Sequence, residues 1–165
     1  MIEPQSPYLY HQHRLAEVVA AIQVMGTHVY SARTIGSWAE ILGQNPKSAS
    51  SWAAIFNEHP EFFRADLEEG GLHTLASRRA QPRVYNTQTG EEITVAQFKA
   101  IPQGERSHFS RRPLSSEQIL SLIDVAVKLH TQAAVRRQEL RWWVSLVVGA
   151  LAGLVGAMIG ATWGR

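Results

Sequence analysis

The stretch from Trp142 to Trp163 contains no charged side chain, and no other feature constrains the chain as strongly. It reaches the length of about 20 apolar residues that a helix needs to cross a hydrocarbon core of about 30 Å. Trp142 and Trp143 stand at one end and Trp163 at the other, with Arg141 and Arg165 just outside. Interfacial aromatic rings and snorkelling cations are arranged in this way. The sequence therefore predicts one transmembrane helix over 142–163, since the remaining chain is too short to wrap a helix that is apolar on every face. No small-residue cleavage site and polar spacer precede the run, as a lipid-anchor signal would need. Arg136, Arg137 and Arg141 lie before it and only Arg165 after it. The positive-inside rule then places residues 1–141 on the cytoplasmic side of a single-pass, tail-anchored protein, with the bilayer as one partner.

Glycines recur inside this stretch. Gly149 and Gly153 continue at intervals of four into Ala157 and Ala161, and Ala152, Gly156, Gly160 and Gly164 form a second row. Small residues let two helix backbones approach closely in lipid. These rows resemble glycine-zipper segments, a resemblance that implies self-association through Gly149, Gly153, Gly156 and Gly160 into a homo-oligomer. A conducting pore is a weaker reading, because only glycine, Ser145 and Thr162 could line it.

The chain has 165 residues, a formal net charge of +2 and no cysteine. That length suits one ordinary domain with attachments. Without cysteine, disulfides, thiolate nucleophiles and sulfur-ligated metals are excluded. The N-terminal residues lack the apolar run of a signal peptide. Charge is unevenly distributed: acidic side chains outnumber basic ones by two over residues 1–104, whereas basic ones are three in excess over 105–141. The basic excess adjoins the uncharged stretch, where anionic headgroups would be met.

Ser115 with Gln118 has capping-box spacing, and Leu114 with Ile119 forms a hydrophobic staple. Ile119, Leu122, Ala126, Leu129, Ala133, Leu140 and Trp143 then recur every three or four residues without proline. One continuous helix is predicted from Ser116 to about Trp163, an amphipathic juxtamembrane part (115–141) leading into the span. Its apolar stripe fits either a helical partner or the domain of its own chain.

Upstream, Leu15, Val18, Val19, Ile22 and Met25 define a first helix ended by Gly26. Ile35, Trp38, Ile41 and Leu42 define a second, between Thr34 and Gly43. Asn45 and Pro46 have the chemistry of N-cap and first helical position for a third, which carries Trp52, Ile55 and Phe56 and stops before Pro60. Phe62–Asp66 and Leu72–Arg78 read as strands around Glu68, Glu69, Gly70 and Gly71. Trp38, Trp52, Phe56, Phe62 and Phe63 are candidate core. Thr94 with Gln97 caps a short helix, Val95–Ala100, inside an otherwise loose connector.

Three helices followed by a hairpin are similar to the winged-helix arrangement over about Gln12–Tyr85. The predicted fold class is mainly α with a small β-hairpin. It comprises a tail (1–12), a winged-helix-like domain (13–86), a basic connector (87–114), the juxtamembrane helix (115–141) and the transmembrane helix (142–163). In DNA-binding winged helices the third helix enters the major groove and the wing touches phosphate. Here Glu68 and Glu69 at the wing tip would repel phosphates, while Arg78, Arg79 and Arg83 form the one basic cluster and the candidate nucleic-acid or anionic contact.

No phosphate-cradling loop, nucleophile elbow or metal-binding His run is present. His11 with His13, and His59 with His73, are the histidine pairs a metal would need, without a third ligand at suitable spacing. The sequence therefore points away from an enzyme and from cofactors or metals. It points towards an adaptor or regulatory subunit with a cytoplasmic protein partner and a self-associating helix. A membrane-tethered DNA-binding regulator and an oligomerising membrane-perturbing effector are the alternatives.

Overall fold

The computed structural model describes residues 6–43, 45–66 and 71–163, with side chains up to Glu139 except that of Asp66. A 3-10 turn at Pro7–Leu9 precedes α1 (Arg14–Thr27), β1 (Ala32–Arg33), α2 (Ile35–Leu42), α3 (Trp52–Glu58), β2 (Phe63–Asp66), β3 (Leu72–Leu75) and α4 (Ala76–Arg79). There follow β4 (Tyr85–Asn86), α5 (Val95–Ala100), a 3-10 helix at Gln103–His108, β5 (Phe109–Ser110) and α6 (Ser116–Trp163). The protein is mainly helical with two small antiparallel sheets, one ordered β1-β3-β2 and the other β4-β5. β3 is the central strand, pairing Thr74 with both Ala32 and Arg64, and His73 with both Arg33 and Ala65.

Local chemistry accounts for most helix ends. The Thr34 hydroxyl accepts from Ser37 N–H and Gly43, at φ 86°, ends α2 in the left-handed region. Thr94 and Gln97 make the expected capping box on α5, and Ser115 and Gln118 exchange bonds of 2.9 and 3.3 Å at the start of α6. The five aromatic side chains expected in the core are all buried there with Val18, Ile22, Met25, Ile55 and Leu75.

The third helix starts later than Asn45–Pro46 predict. Ser51 is its N-cap, accepting from Ala54 N–H, and residues 45–51 run as bends outside it. Glu17 of α1 explains the delay: its carboxylate takes the Lys47 and Ser48 N–H groups and the Ser48 hydroxyl. Those amides are thereby engaged by a tertiary partner. The last strand is shorter than expected, because the chain turns into α4 after Leu75, with Ala76 N–H donating 2.8 Å to Phe62 O. The hairpin tip with Glu68 and Glu69 lies outside the described residues.

Gly26 does not end α1, which runs on to Thr27 with His28 as C-cap. Its missing side chain serves packing: a Cβ there would meet Ile119 Cγ1 at 3.1 Å, and Gly26 O accepts from Leu114 N–H at 2.9 Å. The stripe of α6 therefore faces its own chain. Ile119 and Ala126 are buried in the core, with Leu122, Ile123 and Leu129 packed against it.

The predicted membrane-crossing helix is corrected. The backbone of α6 continues to Trp163, yet among the described residues no helix is long and apolar enough to cross a membrane. The described face of α6 is amphipathic and carries Glu117, Asp124, Lys128, Arg136, Arg137 and Glu139. The side chains of Arg141, Trp142, Trp143 and Trp163, the glycine rows with Gly149, Gly153, Gly156 and Gly160, and the whole of Arg165 lie outside the described residues.

Candidate functional site

The connector expected to be loose folds into a lobe, and an arginine from the expected basic cluster ties it down. Arg78 is fully buried. Its Nη1 donates to Met25 O (2.8 Å) and His28 O (2.6 Å), and its Nη2 to Arg111 O (2.5 Å), with longer approaches to Tyr30 O and Val29 O at 3.4 Å. Met25 O is one of the last-turn carbonyls that α1 leaves without an intrahelical partner, so the guanidinium satisfies the helix end and opposes its dipole. Burial, reinforced by the Arg111 charge and partly offset by Tyr85, lowers the Arg78 pKa to about 10, so it remains cationic at neutral pH. Its Nε has no partner among the described residues.

Arg78 is thus withdrawn from the surface on which Arg78, Arg79 and Arg83 would have met an anion. Arg79 is exposed on α4, and Arg83 donates 3.2 Å to Phe109 O. Around Arg78 the lobe is pinned further by Ser31 N–H to Ser110 Oγ (2.9 Å) and Arg111 Nε to Gln81 O (3.0 Å).

A second buried arginine, Arg14, closes the other side of the body. It pairs with Glu58 of α3 and donates to Ser48 Oγ and O, both at 2.8 Å. The outer side of α3 and the segment before it are therefore engaged with α1 through Arg14 and Glu17.

The N-terminal tail contributes a third cluster. Tyr8 is buried, and its phenol donates 2.8 Å to Glu61 Oε1, an atom that also lies 3.0 Å from His59 Nδ1. The Tyr8 ring lies 4.4 Å from that of His59 and edge-on to His130 of α6 at 6.3 Å. Burial and the neighbouring carboxylate push the Tyr8 phenol far above its ordinary value. Burial alone would raise the Glu61 carboxyl, but hydrogen bonds from His59, its own backbone and Tyr8 prevail and hold it below the usual range. No acid, base and nucleophile converge on an open cavity here.

The histidines do not assemble as a metal would require. The His59 ring lies tilted against Tyr8, His73 packs on Phe56 at 5.6 Å, and His11 and His13 lie 5.3 Å apart. No group of three metal-capable side chains occurs among the described residues. His28 and His73 both have lowered pKa values, chiefly through burial.

The exposed apolar side chains were not singled out by sequence, except Ile41, which was placed in the apolar set of α2 and is instead exposed. Tyr10, Val29, Tyr30 and Ile41 stand out on the body and Leu120, Val127 and Val135 on α6. Apart from Ile41, only their departure from the apolar periodicity could have marked them. Comparison of the chain with protein-family models, curated proteins and solved structures returns no match.

Proposed function

We propose that this chain is a non-enzymatic adaptor or regulatory subunit whose winged-helix-like body binds a protein partner. The order α1-β1-α2-α3-β2-β3, with β3 central in its sheet, supports the winged-helix-like reading. The burial of Arg78 carries the choice of partner. A surface for DNA needs cations free to neutralise phosphates, and this one is committed to backbone carbonyls. Exposed Val29, Tyr30 and Ile41 provide apolar anchors of the kind that protein interfaces use. The bilayer belongs to the proposal as an anionic surface met by Arg136, Arg137 and Arg141. Failure of the full chain to float with anionic vesicles at low salt would remove that part.

Photo-crosslinking amino acids placed at Tyr30 and Ile41 of the full chain test the protein-binding reading. Discrete protein adducts in cells are expected from these positions and not from Gln88 in the exposed lobe. Absence of adducts, together with salt-sensitive binding of mixed-sequence duplex DNA by the full chain, would replace it with the DNA reading. The full chain is needed because Ile119 and Ala126 of α6 complete the core.

A further inference from the structure

We infer that residues 6–13 form a detachable strap that clamps α6 onto the body, with Tyr8 as its fastening. The inference goes beyond the adaptor reading and does not depend on it. Tyr8 is 5% exposed and bridges two elements, lying over His59 at the end of α3 and meeting His130 of α6 edge-on. The strap's own backbone bonds are local: Leu9 N–H to Ser6 O, Tyr10 N–H to Pro7 O and Arg14 N–H to His11 O. Its attachment includes the Tyr8 phenol donating to Glu61, a charge-assisted bond of the stronger class.

Beneath that bond lies an uncompensated cost. His59 is fully buried, its Nδ1 faces Glu61, and its Nε2 has no partner among the described residues. A buried imidazole nitrogen without a partner is destabilising.

The position of the strap gives opening a consequence. α6 is held near its start by Leu114 N–H on Gly26 O and by Ile119 against Gly26. The Tyr8–His130 contact lies far along its packed face, and from Ala134 to Glu139 the described side chains of α6 are exposed. Releasing Tyr8 loosens the turns around His130, while Ile119 to Leu129 stay packed on the core.

Hydrogen exchange on the full chain, with spin labels on single cysteines at Thr131 or Glu40, tests this in a protein that has no cysteine of its own. Tyr8→Phe keeps the ring and removes the bond. It is expected to accelerate exchange over 6–13 about tenfold or more, leave 14–27 unchanged, and raise label mobility at Thr131 but not at Glu40. Glu61→Gln should act in the same direction. Unchanged exchange over 6–13, equal acceleration over 14–27, or an immobile label at Thr131 after the strap opens would each overturn the inference.

Discussion

The body from Arg14 to Arg79 and the lobe from Ala80 to Pro113 are neighbours held by different forces. The body closes on aromatic and aliphatic side chains, among them Ile22, Trp38, Phe56 and Phe63. In the lobe α5 has no buried residue, and Ser110 is the buried side chain that anchors β5. The lobe instead holds to the body through Arg78 and Ser110, and within itself through Arg106, which donates to Ile101 O and Lys99 O and lies over the Phe98 ring. Burying apolar area is tolerant of detail, whereas a polar anchor fails when one partner is removed, because buried groups are left unpaired.

Deleting from the body's core gives the largest expected loss. Phe63→Ala should cost about 3–5 kcal/mol, as large core truncations do, and appear in denaturant titration as a lower midpoint with the lobe and body unfolding together. Arg78→Met tests the other side of the comparison at similar volume. It strands the carbonyls of Met25, His28 and Arg111 and should cost about 3 kcal/mol, a fall of roughly 6–12 °C in Tm for a chain of this size. If Arg78→Met loses much less while exchange over 81–113 is unchanged, the lobe is held by something other than its arginine.

Ser110→Ala removes the acceptor for Ser31 N–H and should cost about 1–2 kcal/mol, with faster exchange confined to β4, β5 and the 28–33 segment. The smallest effect is the pH dependence. His28 and His73 have folded-state values below the ordinary 6.5, so the unfolded chain takes up protons first as pH falls. Their contribution is complete above about 6.5 and is lost on acidification through that value. Tm should therefore fall between pH 7.5 and 5.5, and less so in His73→Gln, if burial is what lowers that histidine.

The two regions were also unequally legible in the sequence. Periodic apolar residues and local caps placed α1, α2, α5 and the start of α6, because both signals act within a few residues of one another. Thr34, Thr94 with Gln97, and Ser115 with Gln118 are all of this kind. Where the sequence misled, a distant group had claimed the local chemistry. Glu17 takes the amides after Pro46, so Ser51 caps α3. Gly26 reads as a stop signal but makes room for Ile119, nearly a hundred residues downstream. Arg78 with Arg79 and Arg83 looks like a solvated basic cluster, and nothing in its spacing reveals that residues 25–30 and 111 supply its partners. Tyr8, read as part of a tail, needed Glu61 and His59 to become core.

The Arg78–Arg111 bond also gives the lobe a neck. The chain leaves the body after α4 and returns at the same guanidinium, where Arg111 in turn reaches back to Gln81 O. A segment whose two ends already meet can change length at little entropic cost, since closure depends only weakly on the number of residues enclosed. The protein therefore carries a replaceable cassette between α4 and α6, whose contents can be lengthened, shortened or exchanged while the helices on either side keep their places.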